Sequence, residues 1–206
     1  MKYKDFTGII PGQYSGEEIE TDASIELADE PKAKALYKLA KQKIMNVNNW
    51  HTVAGLISAK FQLVSSEGVE VEREVQKGDY FKIDIPGPGS TKGNGFDWVL
   101  VEEVKEMAES GIESLGIRVR PSSNPFNEKN ETDHFYAASG TSNFIIIREF
   151  KTVSAWIVDR NIKPNQSAET ITDKLRDLAV GIGAIGLFSK LQWSGLAKGL
   201  IDKEKQ

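Results

Sequence analysis

Residues 78–104, GDYFKIDIPGPGSTKGNGFDWVLVEEV, decide how this chain is read. Asp79–Ile85 alternates aromatic or aliphatic side chains with polar ones, and Phe96–Val104 resumes a β-rich run after a glycine-proline loop, so the stretch predicts a hairpin with an enlarged tip. The loop, Gly87 to Gly95, offers glycine backbone, two hydroxyls and Lys92, groups that suit an anion. It lacks the GK[ST] ending and the following helix N-terminus that a phosphate loop uses, and reads as a solvated hairpin tip. Phe81, Ile83, Ile85, Trp98 and Leu100 are the core candidates of this hairpin.

Outward from it, period-two patterning covers residues 57–161. Runs at 57–64 and 69–75 flank Ser65–Gly68 and predict a second hairpin. Leu115–Arg120, His134–Ala138, Asn143–Phe150 and Val153–Asp159 supply further strands, halted by Pro121 and joined by polar turns. Seven or so short strands without long intervening helices predict a curved antiparallel sheet or a partly closed β-barrel.

Helical spacing brackets that region. Glu30–Pro31 opens a helix whose Ala33, Leu36, Tyr37, Ala40 and Ile44 form one apolar stripe, ending at Asn46–Asn49. After Pro164, Ser167 caps a pattern at Ile171, Leu175, Leu178, Ile182 and Ile185, continued by Phe188, Leu191, Leu196 and Leu200 and interrupted by Gly181, Gly183 and Gly186. GIGAIG over 181–186 spells GxGxxG, but a helical pattern precedes it where a dinucleotide site needs a strand, and close helix packing is the ordinary reading. The expected organisation is an N-terminal arm over 1–28, one α+β domain over 29–201 and a tail over 202–206. Within the domain, the helix spans 29–48, the antiparallel β region 57–161 and the C-terminal helical segment 167–201.

Composition narrows function mainly by exclusion. The 206 residues carry a net charge of −4 and no cysteine. Thiolate catalysis, disulfides and cysteine-ligated metals are excluded, and no basic run points to nucleic acid. Two histidines, His51 and His134, lie far apart outside any ligand motif, so no metal, cofactor or catalytic residue is assigned. The N-terminal residues do not read as a signal peptide. Lys190, Gln192 and Lys198 break the apolar character of 178–201, so no membrane span is expected and a cytoplasmic location is.

Of six arginines, four fall in or after the later strands. Arg118 and Arg120 share one strand face, where they either hold an anionic group of a ligand or pair with Glu102, Glu103 or Glu149. His134 and Tyr136 on one strand and Trp156 on another complete the candidate ligand-binding set. Asp159-Arg160-Asn161 is a compact polar end to the last strand, a place where functional groups are displayed and where capping hydrogen bonds are equally at home. In element order over residues 30–200, the chain resembles the helix-grip class, in which a curved sheet wraps a terminal helix around an apolar ligand cavity, and more loosely the barrel-plus-helix modules of pleckstrin-homology type. That resemblance carries no residue assignments. The leading expectation is a non-catalytic binding or assembly protein with a protein partner or self-association. The alternative is a binder of a small apolar or anionic ligand between sheet and C-terminal helix; a hydrolase built on His134 and a carboxylate comes third.

Overall fold

The computed structural model describes residues 3–55, 59–84, 96–126, 136–163 and 182–203. Seven strands, β1 (Glu17–Glu26), β2 (Lys60–Val64), β3 (Tyr80–Asp84), β4 (Asp97–Glu109), β5 (Ile112–Pro121), β6 (Thr141–Glu149) and β7 (Thr152–Ile162), form one antiparallel sheet in the order β1-β7-β6-β5-β4-β3-β2. The sheet is open, with β1 and β2 at its edges among the described residues. Among the described residues three α-helices accompany it: α1 (Glu30–Met45), α2 (Trp50–Ala54) and α3 (Ile182–Leu200).

Residues 17–26 are thus an edge strand and not part of an arm. Ile19, Thr21, Ala23 and Ile25 alternate with Glu18, Glu20, Asp22 and Ser24, and the strand pairs with β7 over nearly its whole length. Consequently α1 does not precede the sheet but connects its first two strands. The second expected hairpin is also different. β2 pairs with β3, while residues 69–75 touch it through one isolated bridge, Val64 to Glu70. That stretch divides its backbone bonds: Val71 N–H donates to Leu63 O and Val69 O accepts from Ser65 N–H, while Val75 N–H donates to Met45 O and Val71 O accepts from Asn48 Nδ2. The 78–104 hairpin is present as β3 paired with β4, with Phe81, Ile83 and Trp98 buried; the loop at 85–95 lies outside the described residues.

Helix α1 follows its sequence signals. Asp29 caps it by accepting from Lys32 N–H at 2.8 Å, Pro31 stands in the first turn, and the five stripe residues are buried. Lys43 is buried as well, because its ammonium donates to Gly199 O at 3.2 Å and Asp202 O at 2.6 Å, closing the C-terminal end of α3. Such carbonyls have no partner within their own helix, and a cation there also meets the negative end of the helix dipole. In α3, Leu196 and Leu200 are buried as the stripe requires, whereas Leu191 is exposed: five residues from Leu196, it falls on another side of the helix. Gly195 and Gly199 let α2 approach; a Cβ on them would lie 2.5 Å from Ala54 O and 2.0 Å from Val53 O.

The sheet has two covered faces. One packs on the helices through Phe61, Phe81, Val99, Ile117, Phe144, Ala155 and Ile157. On this side Trp50 meets Phe61, Phe81 and Phe144 with ring centroids 5.3, 5.5 and 4.6 Å apart, and Trp193 of α3 stands 5.2 Å from Phe144. The other face, with Ile145, Ile147, Trp156 and Val158, is covered by the N-terminal segment through a fully buried Ile9, with Tyr3, Phe6 and Ile10 around it. Asn161 fastens this strap: its Oδ1 accepts from Tyr14 and Ser15 N–H, its Nδ2 donates to Gly12 O, and its own N–H donates to Gln13 Oε1.

Candidate functional site

Strand parity places every second residue of β7 toward α3. Val153, Ala155 and Ile157 belong to the helix-side core, and Asp159 follows them on that face. Asp159 is fully buried. Its Oδ2 accepts the indole N–H of Trp193 at 3.1 Å, and its Oδ1 has no hydrogen-bond partner. Burial pushes the carboxyl up to about 6; Ser142, Trp193 and Arg160 act in the opposite direction without cancelling that desolvation.

The neighbouring strands add hydroxyls. Ser142 of β6 lies directly across from Asp159, and Ile19 of β1 lies across on the other side. Two residues along β1 on the same face is Thr21, buried, whose Oγ1 also has no partner. Buried polar atoms in folded proteins are nearly always paired, so these two unpaired oxygens, on the helix-side face of adjacent strands, make this spot a candidate polar site.

Arg160, one residue on, projects from the opposite face, where it reaches Glu18 at 2.8 Å, Glu20 at 3.3 Å and Tyr3 Oη at 2.5 Å. The arginines favoured from the sequence lie on that same opposite face. Glu102 holds both, at 2.8 Å from Arg118 Nε and 2.5 Å from Arg120 Nε. Arg118 also donates to Ile9 O, and Arg120 to Ala138 O and Ser139 O. An anion at these arginines would therefore have to displace Glu102 and lie under the strap. Trp156 shares their face, packed edge-on against Tyr3 with centroids 6.4 Å apart and donating to Ser154 Oγ at 3.2 Å. Tyr136 is buried, and His134 lies outside the described residues. The structure thus gathers Arg118, Arg120 and Trp156 on the strap side, away from Asp159. The polar triplet 159–161 carried the signal for the helix-side group, but its facing depends on strand parity and on a tryptophan far along the chain.

A surface groove of about 360 Å³ runs past Asn48, His51, Lys60, Gln62, Lys82 and Phe96 at the β2–β3 edge. No group of three His, Cys, Asp or Glu side chains among the described residues is arranged to hold a metal ion. No described helix is long and apolar enough to cross a membrane.

One open antiparallel sheet of seven strands, with two helices between its first two strands and a third closing one face, defines an α+β protein. A hypothetical protein, jhp0584, from Helicobacter pylori is similar in structure over 96% of this chain and 97% of its own, with 11% identity and a TM-score of 0.51. More distant are norcoclaurine synthase from Thalictrum flavum, covering 96% of this chain and 98% of its own at 8% identity and TM-score 0.39, and a conserved protein from Geobacillus kaustophilus, covering 88% and 95% at 12% identity and TM-score 0.36. No protein-family model matches the sequence, and no curated protein is similar to it. The Helicobacter pylori protein shares the fold, and the likeness extends no further.

Proposed function

We propose that the protein is a small-molecule binder whose ligand is held between the sheet and α3, with Asp159 as its polar anchor. The observation that carries this reading is the buried, unpartnered Oδ1 of Asp159 on the helix side of the sheet. Leaving such a group unmet costs about 1–3 kcal/mol, more for a charged one, and a ligand that meets it recovers that cost. The surroundings suit an organic molecule: Trp193, which donates to the carboxylate, stands against Phe144. The helix-grip element order is consistent with the same location.

Native mass spectrometry of protein purified without denaturant tests it, together with thermal melts in the presence of aromatic amines, alcohols and acids. The expected result is a stoichiometric small-molecule adduct lost on unfolding, or a melting shift with at least one probe class. A chain that stays at its sequence mass and responds to none of the three would sink the proposal.

A further inference from the structure

Resting on that reading, we infer that the ligand is an organic cation, a protonated amine, whose ammonium is bound by Asp159 Oδ1 and Thr21 Oγ1. Both oxygens are buried without partners and sit on the same face of paired strands. Asp159 stands opposite Ile19 and Thr21 opposite Ile157, which makes Asp159 and Thr21 diagonal neighbours, with Cα atoms roughly 7–8 Å apart and side chains nearer. An ammonium carries several donors and no acceptor, the complement of a carboxylate and a hydroxyl on one face of paired strands.

Charge decides among donors. Among the described residues, no cation compensates Asp159 on its own face. Arg160 serves Glu18 and Glu20 on the other side of the sheet, Asp22 alternates to that side with them, and Glu17 is exposed at the start of β1. On α3, Lys190 and Lys198 are exposed, and β6 presents the uncharged Ser142 across from Asp159. An alcohol would fill the hydrogen bond but leave the buried charge unmatched, and a carboxylate would set two anions side by side. Trp193, 5.2 Å from Phe144 and 6.4 Å from Phe61, adds aromatic surface of the kind that favours a cation. Because the ammonium pairs with the ionised carboxylate, binding competes with the proton on Asp159 and tightens as pH rises through about 6.

The test uses three probes of one shape: phenethylamine, 2-phenylethanol and 3-phenylpropionate, titrated calorimetrically against the full chain at pH 5 and pH 7.5. The amine should bind at least about tenfold more tightly than the alcohol at pH 7.5, since a charge-assisted hydrogen bond is roughly twice as strong as a neutral one. The propionate should be the weakest. Asp159→Asn should remove the preference for the amine while retaining the alcohol, and Thr21→Val should weaken the amine alone. Equal binding of alcohol or propionate, or an amine affinity indifferent to Asp159→Asn, overturns the cation inference and leaves the binding reading standing. Failure of all three probes, with no adduct in native mass spectra, removes both.

Discussion

The indole N–H of Trp193 donates to Asp159 Oδ2 at 3.1 Å, joining the C-terminal helix to the last strand through a carboxylate that water does not reach. The carboxyl is held near 6 from an ordinary 3.8, so between those values the folded protein keeps a proton that the unfolded chain has released. Stability contributed by this group is full below about pH 4 and falls as pH rises through about 6, by on the order of 3 kcal/mol for a shift of this size. Asp159→Asn lacks that fall. In urea titrations of ligand-free protein the variant should be the more stable at pH 8 and converge with the parent near pH 4; a variant weaker at pH 8 would contradict the burial argument.

Glycine at 199 is required by Val53 O, which a Cβ would approach to 2.0 Å, and at 195 by Ala54 O at 2.5 Å. In a free helix, alanine would gain about 1 kcal/mol over glycine at either position. Here Gly199→Ala should instead destabilise by about 3 kcal/mol or more, and Gly195→Ala by less, because α2 must move off α3. Chemical denaturation measures both, and a rise in either midpoint would show that the helices are not in close contact.

Asn161 adopts φ 57 while fastening the strap. Asparagine tolerates this left-handed backbone better than most residues, and glycine better still. Asn161→Gly therefore isolates the side-chain hydrogen bonds, whereas Asn161→Ala adds backbone strain. Amide exchange at Tyr14 and Ser15 should accelerate in both variants, and Asn161→Ala should lose about 1 kcal/mol more than Asn161→Gly. Unchanged exchange at those two amides would rule out the fastening role.

Two lysines of α1 offer an internal control. Lys43 is buried on the carbonyls of Gly199 and Asp202, while Lys41 pairs with Glu106 at the surface. Lys43→Met should cost about 1–3 kcal/mol by removing the charged donor from these carbonyls, against at most about 1 kcal/mol for Lys41→Met. Comparable losses would refute the closing of α3 by Lys43.

What could be read in the chain beforehand follows the range over which each feature is determined. The proline opening and stripe of α1 are set within a turn or two, and the alternation of β3 is set by its own five residues, so both were legible, whereas the Asp29 cap was not read. β1 carried a legible signal too, since Ile19, Thr21, Ala23 and Ile25 alternate with charges; its low apolar content, suited to an edge strand whose far face holds Arg160, disguised it. The stretch 69–75 alternates just as well, yet only Val69 and Val71 bond toward β2, while Val75 N–H and Val71 O turn to Met45 and Asn48, a competition no local pattern records. The facing of Arg118 and Arg120 depended on which side of the sheet received the helix, and that of Asp159 on a contact with Trp193, 34 residues along the chain.

The pairing of β1 with β7 sets the order in which the fold can be completed. Glu17 to Glu26 leave the ribosome early, but among the described residues their strand partner runs from Thr152 to Ile162, and the strap before them is fastened by Asn161. Synthesis at roughly 5–20 residues per second separates these events by several seconds or more. Throughout that interval the first strand waits with an unpaired edge, and the sheet grows from β2 toward a partner made at the outset. Closure thus falls to the last strand translated, and a chain stalled before residue 162 would carry most of its sheet and still hold its beginning loose.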